Sequence, residues 1–154
     1  SLEGVALSEG QLHISYYYPN WNFGSYFESK VARDVADFMD RYDKARDGLW
    51  TVIENGRIQG AIAIDGLDAD NLGAHLRWFI VGEDLQGQGL GNRLMDLAMR
   101  FCRDKDYNGV YLWTFAGLNA ARHLYEKAGF KLVKERTGRQ WGTEVNEQRF
   151  ELNL

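Results

Sequence analysis

The sequence predicts an α/β fold, and three observations carry that prediction. Ala74 to Val81 is apolar, aromatic and β-branched as a strand is, whereas Leu90, Leu94, Leu97, Ala98, Phe101 and Cys102 recur at helical spacing. A glycine-rich turn, Gln86-Gly87-Gln88-Gly89-Leu90-Gly91, joins the two. The same alternation of strand-like and helix-like stretches runs through the rest of the chain. With 154 residues, 45% of them apolar and 14% aromatic, no repeat and one proline, residues 1–154 are expected to form one domain around a substantial core.

Taken in order, Leu2 to Leu7 alternates as a first strand would and ends at Ser8-Glu9-Gly10. An aromatic cluster follows, from Tyr16 to Phe23, too dense to face one core; some of its rings line a surface, pocket or interface, or brace a loop. Ser25 to Tyr42 reads as a helix with Phe27, Val31, Val35, Phe38, Met39 and Tyr42 on one face. Ser25 and Glu28 have capping-box spacing at its start. Leu49 to Glu54 and Arg57 to Asp65 are strands joined by Asn55-Gly56, a tight-hairpin signal. Asp68-Ala69-Asp70-Asn71 is expected to be a solvated turn, because the later glycine and distal glutamate of a calcium loop are missing. Beyond the long helix, Gly109 to Phe115 reads as a buried strand. Ala116 to Ala128 reads as a helix capped by Gly129, with Ala121, Leu124, Tyr125 and Ala128 inward. Phe130 to Glu135 and Glu147 to Leu154 complete the strands, with Arg136 to Asn146 as a polar loop carrying Trp141-Gly142.

A glycine turn from strand to helix suits a phosphate. The first helical N–H groups lack intrahelical partners, and glycines let the backbone come close. A Walker loop is excluded, because Gly91 is followed by Asn92-Arg93 where Lys-Ser/Thr is needed. A dinucleotide fingerprint fits poorly, since Asn92 stands where its third glycine belongs. Gln86 to Gly91 does match Gln/Arg-x-x-Gly-x-Gly/Ala, and in this it resembles the acetyl-CoA pyrophosphate loop of the GNAT superfamily of N-acetyltransferases. Ala121 to Phe130, with Leu-Tyr-Glu-Lys closing on Gly-Phe, resembles that superfamily's second signature at the expected place in the chain. Tyr111 to Tyr125, Trp141-Gly142 and Glu147-Gln148-Arg149-Phe150 narrow the likeness: they look like the acetyltransferase half of fusions between a MarR-type winged-helix regulator and a GNAT domain. There is no room for the DNA-binding half, and the chain begins at Ser1 without methionine, so it reads either as a free-standing relative or as a piece of a longer regulator.

The resemblance implies a mixed, mostly antiparallel sheet of about seven strands flanked by about four helices, opening where two adjacent strands diverge. It implies acetyl-CoA as cosubstrate. Gln86, Gly87, Gln88, Gly89, Leu90 and Gly91 would hold the pyrophosphate, and the backbone of Phe79, Ile80 and Val81 would pair with the pantetheine arm and polarise the thioester. Asn119 is a weaker carry-over: the superfamily's asparagine falls seven residues before the motif tyrosine, at Leu118, and a helix cap is the competing reading of Asn119. Tyr125 stands where the superfamily has its general acid, the alternative being a core tyrosine with a satisfied hydroxyl. His75 falls where many relatives carry a basic glutamate; a structural histidine is the competing reading, and Glu83 is a lesser candidate base. The expected activity is direct acetyl transfer to a primary amine in a ternary complex. A non-catalytic acyl-CoA-sensing domain that regulates a partner is the alternative.

Composition bounds the partners. A net charge of −4 and a pI near 5.4 leave no basic footprint for nucleic acid, and weakly favour a cationic acceptor. Cys102 is the only cysteine, which excludes a disulfide framework; on its helical face it reads as a small core residue. His13, His75 and His123 lack metal-ligand spacing, so no metal is expected, and His123 belongs at the surface. No apolar run reaches membrane-spanning length and no signal peptide is visible, which predicts a cytoplasmic protein with no membrane partner. The acceptor is read as a small-molecule or peptide amine, and a homodimer is compatible with the sequence.

Overall fold

The computed structural model describes residues 25–54, 57–81, 89–115, 119–139 and 144–154. The first strand predicted at Leu2 to Leu7, the aromatic cluster, the Asn55-Gly56 turn, Glu83, Gln86 to Gln88, Leu118 and Trp141-Gly142 lie outside them. The elements are α1 (Ser25–Asp40), β1 (Gly48–Glu54), β2 (Arg57–Asp65), α2 (Ala69–Leu72), β3 (Ala74–Val81), α3 (Leu90–Asp104), β4 (Gly109–Phe115), α4 (Asn119–Ala128), β5 (Lys131–Gly138) and β6 (Val145–Asn153). Six strands form one sheet in the order β1-β2-β3-β4-β6-β5. Only β3 and β4 run parallel; every other neighbouring pair is antiparallel. The expected mixed, mostly antiparallel sheet with flanking helices is what forms, with six strands and four helices among the described residues.

Strand alternation gives the sheet two unlike faces. On one, Ile62, Ile64, Leu76, Phe79, Val110, Leu112 and Phe150 meet Leu94, Met95, Ala98, Met99 and Cys102 of α3 and Tyr125 of α4 in a single apolar core. Cys102 is fully buried there, and burial pushes its thiol up to about 12, as suits a packing residue. On the other face lies α1. Val35 and Phe38 are buried, Phe38 sets its ring 5.4 Å from Trp78 of β3, and Asp34 pairs with Arg77 at 3.7 Å.

Two local expectations are corrected. Asp68 to Asn71 is not an open turn but the start of a single helical turn: the Leu72 N–H donates to the Asp68 carbonyl at 2.8 Å, Ala69 is buried beneath, and Gly73 at φ 87° stops it. The polar stretch Arg136 to Asn146 is not all loop, since Arg136 pairs with Glu147, Thr137 with Asn146 and Gly138 with Val145. Its polarity reflects the sheet's edge. β5 is exposed along most of its length and carries Lys131, Lys134 and Arg136, the charges that discourage pairing by another chain.

Candidate active site

The sheet opens between β3 and β4. These parallel neighbours pair at Ala74 with Val110 and at His75 with Tyr111, and among the described residues at no later position. The cause is visible in β3. Trp78 has φ 48°, a left-handed conformation costly for a bulky residue, and the register with β2 slips between Ala61 and Ala63. One extra residue in β3 changes its alternation, so Phe79 follows Leu76 into the apolar core while Trp78 turns to α1. Past the bulge β3 stays bonded to β2 through Ile80–Ala61 and Val81–Gly60. Its other edge therefore faces a gap, lined by the backbone of Phe79, Ile80 and Val81, the three residues expected to meet the thioester arm.

At the mouth of this gap α3 begins. Gly89 is its N-cap with φ 77°, and the first helical bond runs from the Arg93 N–H to the Gly89 carbonyl at 3.1 Å. Among the described residues a Cβ at Gly89 would meet nothing within 4 Å, at a helix N-terminus whose unpaired N–H groups favour an anion. Gly91 serves a different end. A Cβ there would lie 2.9 Å from the Leu124 Cδ1 and 3.7 Å from Phe79, so a small residue lets α3 lie close to α4 and β3. Leu90 opens the helix between them. A left-handed turn and an uncapped helix start fit a pyrophosphate.

Tyr125 reaches the same region from α4. The helix closes with a Schellman cap: the Phe130 N–H donates to the Tyr125 carbonyl and the Gly129 N–H to that of Glu126, each at 3.0 Å, with Gly129 at φ 105°. This explains the Gly-Phe ending of the motif, for Phe130 folds back on Tyr125 with ring centroids 6.2 Å apart. The tyrosine is 4% exposed and also touches Phe79 of β3 at 6.0 Å and Phe150 of β6 at 5.9 Å. Tyr125 and Phe79 are thus brought together. Leu124 and Ala128 pack against the same core, and His123 is exposed. Asn119 is the first residue of α4.

His75 lies elsewhere. It sits at the closed end of the gap, where β3 and β4 are still paired, with its ring stacked on Tyr111 at 4.4 Å and 14°. Burial, reinforced by the Arg77 charge and only partly opposed by Asp65, holds its imidazole down at about 3. Such a ring is neutral at pH 7 and a weak proton acceptor.

The α1 face carries the charges. Burial alone would raise the Asp65 carboxyl, but Arg41 at 3.0 and 2.5 Å, the Leu67 N–H at 3.2 Å and Arg77 at 3.1 Å outweigh it and hold it near 2. The Arg77 guanidinium lies 4.2 Å from the Trp78 ring centroid, so this ion cluster grips the bulge that parts β3 from β4. Nothing in the residue types of 77–79 announces the bulge, and sequence reasoning missed it. It also missed the use made of Glu147-Gln148-Arg149-Phe150, which supplies Phe150 to the tyrosine on one face and Arg149 to a stack of rings on the other. Among the described residues no group of three or more His, Cys, Asp or Glu is placed to hold a metal.

The family model described as "Acetyltransferase (GNAT) family" matches residues 11–130. The mycothiol acetyltransferase of Cellulomonas flavigena is 32% identical over 107 residues, covering 67% of this chain and 29% of that protein. The curated relatives are longer, and this chain spans 29% to 52% of their length. A GNAT-family acetyltransferase of Staphylococcus aureus Mu50 superposes with a TM-score of 0.76 at 19% identity, covering 98% of this chain and 94% of that one. One from Elizabethkingia anophelis, solved with acetyl-CoA bound, gives 0.60 at 20% identity over 77% of this chain and 82% of that one. Those two likenesses speak for the fold alone.

Proposed function

Because this chain belongs to the GNAT family of acetyl-CoA-dependent acyltransferases, we propose that it transfers acetyl from acetyl-CoA directly to a primary amine in a ternary complex. The observation that carries this reading is the gap between β3 and β4, with the N-terminus of α3 at its mouth and Tyr125 against Phe79 on its wall. The pyrophosphate lies against the turn ending at Gly91, and the thioester follows the free edge of β3. As the amine nitrogen bonds to the acetyl carbon, charge develops on the carbonyl oxygen, and a backbone N–H among Phe79 to Val81 stabilises it. The carbon–sulfur bond then breaks, and Tyr125 gives its phenolic proton to the departing thiolate. A His75 imidazole near 3 accepts a proton poorly, so the amine loses its proton to solvent water in this scheme.

Residues 1–154 are read as one acetyltransferase domain acting on a small-molecule or peptide amine in the cytoplasm. No described helix is long and apolar enough to cross a membrane. The narrower kinship with the acetyltransferase half of MarR-GNAT fusions rests on Tyr111 to Tyr125 and Glu147 to Phe150. The second reading, an acyl-CoA-sensing domain, draws on the poor basicity of His75. A thiol-release assay with acetyl-CoA and a panel of amines separates the two. The transferase reading expects turnover that falls about a hundredfold in kcat for Tyr125→Phe, with acetyl-CoA affinity kept. Tight acetyl-CoA binding with no turnover on any amine would favour the sensor.

A further inference from the structure

The α1 face of β4 and β6 holds a guanidinium that the scheme above does not use. Tyr111 and Trp113 stand two residues apart on β4, and Arg149 of β6, register partner of Trp113, lies over both rings at 4.2 and 5.8 Å. Stacking fixes a guanidinium in plane, so the rotamer freedom a salt link usually costs is already lost. Only its Nε–H is engaged among the described residues, with Glu151 at 2.8 Å. The two terminal NH₂ groups, the fork that meets a carboxylate bidentately, have no acceptor among those residues. The side chain is 21% exposed.

The position matters as much as the chemistry. Tyr111 is the last β4 residue paired with β3, and Trp113 stands about 7 Å farther along, beside the gap. Arg149 is one strand spacing, about 4.8 Å, beyond it. α3, α4, Phe79 and Tyr125 pack on the opposite face of the sheet, and a second substrate that approaches from the α1 face meets this fork. Nearby, Arg136 stacks on Trp113 at 4.3 Å and is 48% exposed, whereas its partner Glu147 is 2% exposed. The wall thus carries the exposed Arg136 and the stacked Arg149 together with one exposed carboxylate, Glu151, which takes the Arg149 Nε–H.

We infer that Arg149 is a specificity determinant that receives a carboxylate of the acceptor, so that the preferred amine is one bearing a carboxylate a few bonds away, such as an amino acid. This rests on the transferase reading above and narrows its substrate class. The test pairs amines that differ only in that group, glycine with glycinamide and β-alanine with β-alaninamide, and follows two readouts in the wild type, Arg149→Gln and Arg149→Lys. In turnover, the carboxylate member is expected to lead in kcat/KM by about tenfold or more, through KM. That ratio falls toward one in Arg149→Gln and is partly restored in Arg149→Lys. In calorimetric binding to the CoA-loaded protein, the carboxylate amine is expected to bind the wild type about tenfold to a hundredfold more tightly than Arg149→Gln. Unchanged acetyl-CoA affinity shows that the variants are folded. Carboxylate binding without turnover would keep this site and retire the transferase reading. Equal treatment of acid and amide by the wild type, or equal carboxylate binding by wild type and Arg149→Gln, would overturn the inference.

Discussion

The two faces of the central strands are built on opposite principles. Under α3 and α4 the strands present Ile62, Leu76, Phe79, Val110, Leu112 and Phe150, all apolar and buried, and the phenol of Tyr125 is buried among them. Under and beside α1, the same strands present Asp65, Arg77, Trp78, Tyr111, Trp113 and Arg149, joined by ion pairs and ring stacks. The apolar face fixes where the strands lie, since burial carries no charge for pH to titrate or salt to screen. The polar face decides where they part, because the Asp65–Arg77–Trp78 cluster grips the bulge. Stability and the opening of the gap are thus carried by different chemistry on opposite sides of one sheet.

The largest effect should come from the apolar side. Phe150 is fully buried and leans on Tyr125, so Phe150→Ala is expected to lower stability by about 3 to 5 kcal/mol, measured by urea unfolding, with little change between 0.1 and 1 M salt. If the loss were small, Tyr125 would not owe its place to this face. On the polar side Asp65→Asn leaves Arg41 and Arg77 without their shared carboxylate. Because both arginines are partly exposed, a loss of about 2 kcal/mol is expected, shrinking at 1 M salt. A cost that ignored salt would place Asp65 with the packing residues.

A smaller effect sharpens the contrast through pH. The His75 imidazole is held at about 3, below its ordinary 6.5, so between those values the unfolded chain binds the extra proton. Its contribution is complete above pH 6.5 and is lost as the pH falls toward 3. The melting temperature should decline through that window, and less steeply in His75→Phe, which keeps a ring on Tyr111. A slope identical in both proteins would mean that burial does not hold the imidazole neutral.

How much of this could be read from the chain follows the same division. Strands at 57–65, 74–81 and 109–115 were legible to the residue because alternation and β-branched content mark them. The Tyr-Glu-Lys-Ala-Gly-Phe ending was legible because a Schellman cap demands its glycine. Trp78 was not, for no residue type marks a bulge in a bulky aromatic. The extension of β5 through Arg136 to Gly138 was hidden because an exposed edge strand has the composition of a loop, and with it the start of its partner β6 at Val145. His75 looked like a base from its position in the sequence alone. The burial and the Arg77 charge that lower its imidazole are assembled only by the fold.

The account stands on acetyl-CoA lying against the turn at Gly89, and a matched pair of substitutions tests that most directly. Asn and Asp both tolerate the left-handed conformation that Gly89 adopts, and among the described residues a Cβ there meets nothing within 4 Å. They differ in charge. Calorimetric titration with acetyl-CoA should show Gly89→Asp binding about tenfold or more weakly than Gly89→Asn, the gap narrowing at high salt while the melting temperatures agree. Equal affinities for the two variants would contradict a pyrophosphate at this helix start, and with it the site built around the gap between β3 and β4.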